Sequence, residues 1–88
     1  MKNKINYVNF GGIGLITETP LDKTKTHKIK LIDDIVTLVF DIAVIEKYDN
    51  NEYRCSYDNL SKPQVDVLVD YFIEIYKDDT QNLTFEVL

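Results

Sequence analysis

Eighty-eight residues, 44% hydrophobic and 28% charged, with a formal net charge of −5, describe one small folded domain over 1–88 rather than a disordered acidic tail or two domains. A single cysteine, Cys55, excludes an intramolecular disulfide and suits a reducing, cytoplasmic setting. The longest apolar stretch, Ile35 to Ile45, is interrupted by Thr37 and Asp41 and falls far short of the roughly 20 residues of a spanning helix, so no membrane contact is expected.

Charge is unevenly placed. The first thirty residues carry Lys2, Lys4, Lys23, Lys25, Lys28 and Lys30 against Glu18 and Asp22, a net of +4, and the remainder carries −9. Such an imbalance bears on partners rather than on fold.

In chain order, Ile5, Tyr7 and Asn9 alternate with Asn6, Val8 and Phe10, and Gly11-Gly12 leads into a second apolar piece, Ile13 to Thr17. Two short strands joined at the glycines, or one strand with a bulge, both fit. Thr19 to Thr26 contains Pro20 and reads as a loop, the most mobile segment expected. Thr26 to Ile32 alternates lysines with apolar residues, and Asp33-Asp34 suits a turn. Val36, Leu38, Phe40, Ile42 and Val44 then share one face at period two and are expected to line the core. Asn50-Asn51 tolerates positive φ and predicts a two-residue hairpin loop that sets Tyr48 opposite Tyr53. That register also opposes Asp49 to Glu52 and Lys47 to Arg54, so a longer loop stays open.

Ser61-Lys62-Pro63 starts a helix over 61–77, with Val65, Leu68, Val69, Phe72, Ile75 and Tyr76 on one side and Asp66, Asp70 and Glu74 on the other. Asp78-Asp79 ends the pattern, and Leu83 to Leu88 alternates as a last strand. The sum is an α+β fold: an antiparallel sheet of about five or six strands, one long amphipathic α-helix (61–77) packed on one face, and a C-terminal strand.

No catalytic, cofactor or metal motif accompanies these elements. Gly11-Gly12-Ile13-Gly14 lacks the helix and lysine of a phosphate loop and reads as a turn or bulge. His27 is the sole histidine, and neither Asp49-Asn50-Asn51-Glu52 nor Asp78-Asp79 has calcium-loop spacing. Asp41 lies on the face opposite Phe40 and Ile42, and Cys55 reads as strand packing. The lysine cluster contains no arginine, which disfavours direct nucleic-acid binding.

The acidic side is richer. Asp66, Asp70 and Glu74 recur along one helix face about 6 Å apart, and Glu46, Tyr48, Asp49, Glu52, Tyr53, Tyr57 and Asp58 mix acids with tyrosines in a hairpin. These ten residues predict a non-enzymatic protein-binding module. It would dock an acidic, tyrosine-bearing face on a basic partner such as a nuclease or other nucleic-acid-binding protein. A phage anti-defence (anti-CRISPR-like) inhibitor or a toxin-immunity protein would fit. A homodimer joining the basic start of one copy to the acidic helix of another is a further expectation. The alternative is a small-molecule-binding or regulatory domain, with ligand at the glycine-rich turn or a dimer groove.

Overall fold

The computed structural model describes residues 3–32, 37–76 and 83–88. Six strands and one helix follow one another as β1 (Lys4–Asn9), β2 (Gly12–Ile16), β3 (Thr26–Ile32), β4 (Thr37–Lys47), β5 (Glu52–Asp58), α1 (Lys62–Tyr76) and β6 (Thr84–Val87). The expected α+β architecture is therefore present, with its single helix and C-terminal strand. Every strand pairing is antiparallel, and the order β1-β2-β5-β4-β3-β6 closes into a barrel. Closure goes beyond the sequence expectation, because alternation reveals which residues face inward but not which strands become neighbours.

β1 and β2 form a hairpin across the glycines, with Asn9 opposite Gly12. A bulge between Ile5 and Tyr7 changes the predicted faces. Ile5 remains buried, but Val8, opposite Ile13, packs against the core, and Tyr7 lies with its ring over Gly14. A side chain at Gly14 would collide with that ring, so this strand position is reserved for glycine.

The second hairpin also departs from expectation. Asn50 and Asn51 both adopt φ of 62°, and the Glu52 N–H donates to the Asp49 carbonyl at 3.4 Å, so the tight two-residue turn forms. The Tyr48 N–H, however, donates to the Glu52 carbonyl at 2.7 Å, and Lys47 stands opposite Tyr53. The predicted Tyr48–Tyr53 pair is thus replaced. The shift sets Glu46 across from Arg54 and places the Lys47 ammonium 5.8 Å from the Tyr53 ring centroid. The opposed like charges Lys47 and Arg54 are avoided, with a bulge between Val44 and Glu46 absorbing the extra residue.

The barrel interior collects Ile13, Leu15, Ile29, Leu31, Ile42, Cys55 and Phe85, with Phe40 and Val44 from the predicted core face of β4. Val36 of that face, the Asp33-Asp34 and Asp78-Asp79 turns, and the helix end at Lys77 lie outside the described residues. Ser61 caps α1 reciprocally: its Oγ accepts from the Gln64 N–H at 3.4 Å while Gln64 Oε1 accepts from the Ser61 N–H at 2.8 Å. Val65, Leu68, Val69 and Phe72 are buried as the spacing predicts, and Leu68 and Phe72 join the barrel core.

The connection between β2 and β3 is pinned from inside. Leu21 is buried, its N–H donating to the Tyr53 hydroxyl at 3.4 Å, and buried Thr17 bonds Asn3 at 2.7 Å. Asp22 accepts from the Thr24 hydroxyl and N–H, which hold its carboxyl below the usual range, and the His27 Nε2–H donates to the Asp22 carbonyl at 2.9 Å. No described helix is long and apolar enough to cross a membrane.

Candidate functional site

A helix with one buried stripe normally turns polar residues outward. On α1 the apolar side is wider than that, because Val67 and Tyr71 extend it beyond Leu68. Gln64, Val67, Leu68 and Tyr71 follow one another at i, i+3, i+4 and i+7, and with Leu60 they face Leu38, Val39 and Phe40 of β4 across an open groove of about 250 Å³. Val67 is 70% exposed and Val39 51%, so both lips are apolar and wet.

No acid lines this groove, but four lie close in the chain to residues that do. Asp70 and Glu74 follow Val67 at i+3 and i+7 on the solvent side of the helix, and both are exposed. At one end, Asp41 immediately follows Phe40, and Asp58 lies two residues before Leu60. Asp41 and Asp58 are direct cross-strand partners, two like charges on one face. Lys28 stands opposite Asp41 on β3, and the Asn59 side-chain amide donates to Asp41 Oδ2 at 3.4 Å, which offsets part of the repulsion.

The ten residues singled out from sequence do not form one face. Asp66 is half-buried, and Asp70 and Glu74 stand at the groove's lip. Asp58 is at the groove's end, whereas Glu46, Tyr48, Asp49 and Glu52 surround the opposite end of β4, about 20 Å along the strand from Phe40. Tyr53 is buried at 4% exposure and belongs to the core. Tyr57 is half-buried and acts as a tie: its hydroxyl reaches the Asn9 and Gly12 carbonyls at 2.7 and 2.9 Å, and its ring lies 6.1 Å from that of Phe40. Burial pushes the Tyr57 phenol well above its ordinary value, against the opposing effect of its bond to Asn9.

The charge split of the sequence is partly undone by folding. Lys28 faces Asp41, and Lys30 faces Val39 on one side and Glu86 on the other, so the basic strand β3 is interleaved with acids. Val39, Leu60 and Tyr71 were hidden from sequence reading, because what each one faces is set by tertiary packing. On the helix, Val67 and Tyr71 at i and i+4 are a local signal for one wall, and no local pattern reaches Val39 or Leu60.

A smaller, polar cavity sits at the glycine turn, lined by Tyr7, Asn9, Gly11, Gly12, Arg54 and Cys55. Burial raises the Tyr7 phenol while the Arg54 guanidinium pulls it down. Among the described residues, no group of three or more His, Cys, Asp or Glu side chains is placed to hold a metal. Compared with known proteins, the chain matches no family model, no curated protein and no solved structure.

Proposed function

We propose that this protein is a non-enzymatic binding module whose groove between α1 and β4 receives a segment of a basic protein partner. Apolar side chains of that segment enter between Val67 and Val39, and its lysines or arginines meet Asp70 and Glu74 at the lip and Asp41 and Asp58 at the end. The observation that carries this reading is the open apolar groove itself, whose lining residues Phe40, Leu60, Val67 and Tyr71 have Asp41, Asp58, Asp70 and Glu74 close to them in the chain. Apolar contact supplies affinity, and the acids supply orientation and fast, salt-sensitive association.

A protein that handles nucleic acid presents the required basic surface. An inhibitor occupying that surface, as a phage anti-defence or toxin-immunity protein would, is the role this reading favours. Charge favours it as well: a net of −5 repels nucleic acid itself and attracts the proteins that hold it.

The test uses two fluorescent amphipathic peptides of equal length, one alternating Leu with Lys and one alternating Leu with Glu, titrated with the full chain in anisotropy measurements. The Leu/Lys peptide should bind, weaken steeply with added salt, and lose about tenfold or more in affinity to Val67→Asp and to the Asp70→Lys/Glu74→Lys double variant. Equal binding of both peptides, or indifference to Val67→Asp, overturns the proposal. So does sedimentation showing a dimer that Val67→Asp abolishes, which would make a second copy the occupant.

A further inference from the structure

The cavity at the glycine turn has a chemistry opposite to that of the groove. Tyr7, Gly14 and Arg54 lie in one cross-strand row over β1, β2 and β5. Because Gly14 has no side chain, the Tyr7 ring covers it, and the next side chain in the row is Arg54, the only arginine in the sequence.

The Tyr57 hydroxyl is within bonding distance of both the Asn9 and Gly12 carbonyls, and Asn9 Oδ1 accepts from the Gly11 N–H at 2.9 Å. Its lining residues bring three side-chain donors to the cavity: the Arg54 guanidinium, the Tyr7 hydroxyl and the Asn9 NH₂. Glu46 stands across from Arg54 on β4, but it does not line the cavity and no ion pair joins the two. No described residue hydrogen-bonds the guanidinium.

We propose that this cavity of about 160 Å³ binds a small oxyanionic group, a phosphate or a carboxylate, with Arg54 gripping two oxygens and Tyr7 and Asn9 donating to the others. The site is independent of the groove: the two share no lining residue.

The test is an NMR titration of the ¹⁵N-labelled full chain at constant ionic strength, with inorganic phosphate in one arm and acetate in the other. It follows the Gly11 and Gly12 amides and the Arg54 Nε–H. Saturable shifts confined to these groups support the site, and the arm with the tighter binding identifies phosphate or carboxylate as the group held. Arg54→Gln should weaken binding by about tenfold or more, and Arg54→Lys, which keeps the charge but loses the fork, by less. Tyr7→Phe should weaken it a few-fold. Shifts that fail to saturate in both arms, or an Arg54→Gln variant that folds normally and binds as tightly, overturn the proposal.

Discussion

The barrel interior and the groove beside it are built from the same kinds of residue and finished differently. Inside, Ile13, Leu15, Ile29 and Ile42 are completely covered, and Cys55 and Thr17 with them. In the groove, Val39 and Val67 remain more than half exposed although Phe40 and Leu68, their chain neighbours, are buried. The difference teaches that the strands, with Leu68 and Phe72 of α1, close over the barrel's interior, whereas the other sides of α1 and β4 leave apolar lips in water. These lips are what the proposed partner segment would cover.

If that contrast is correct, the two regions respond differently to truncation. Ile42→Ala removes covered methyl groups and should cost about 2–5 kcal/mol, read as a lowered urea midpoint with unchanged slope. Val67→Ala should fall within about 0.5 kcal/mol of the parent. A Val67→Ala loss comparable to that of Ile42→Ala would make the groove part of the core and break the comparison.

Gly14→Ala sharpens it from the barrel side. The added Cβ drives the Tyr7 ring off β2, at a cost of about 1–3 kcal/mol, and Tyr7→Ala in the same chain should recover most of that loss. Additive costs in the double-mutant cycle would show that the ring does not cover Gly14.

Alkaline pH probes the covered groups alone. Burial pushes the Cys55 thiol from its ordinary 9.0 up to about 12 and raises the Tyr57 phenol as well. Both folded-state values lie above those of the unfolded chain, so the fold favours the protonated forms. Their contribution is complete below the unfolded-chain values and erodes as pH rises from about 9 toward 12. Urea midpoints at rising pH should therefore fall above about pH 9, less so in Cys55→Ala. A midpoint that stays level through this window would mean that the thiol reaches water.

The smallest effect has the opposite sign. Asp58→Asn relieves the Asp41–Asp58 opposition and should raise stability by about 0.2–1 kcal/mol while weakening capture of the Leu/Lys peptide. A loss of stability would place a stabilising role on the second carboxylate.

Much of the fold was legible in the sequence, because local physics decided it. The Ser61 cap, the Val65–Phe72 stripe, the Asn50-Asn51 turn and the alternation of Phe40, Ile42 and Val44 each depend on residues close in the chain. What stayed hidden depended on partners far away. Two bulges, near Asn6 and near Ile45, re-aimed Tyr7 and Lys47, and no local pattern announces a bulge when either register leaves apolar residues to bury. The groove was legible only in part. In the sequence Val67 falls beside Glu74 on the acidic side of the helix, but the facing wall at Val39 required knowing that β4 lies across from α1. The acidic pair at its end required knowing that β4 and β5 align Asp41 with Asp58.

The seam of the barrel has a consequence for how the chain is made. β1 meets β6 through Lys4 opposite Thr84, supported by the Ile5 N–H to the Leu83 carbonyl at 3.1 Å and the Phe85 N–H to the Asn3 carbonyl at 3.3 Å. These contacts join the first strand to the last. During synthesis the hairpins can form as they emerge, but the ring stays open until residues 83–88 leave the ribosome, so an interrupted translation product would carry β1 with one side unpaired.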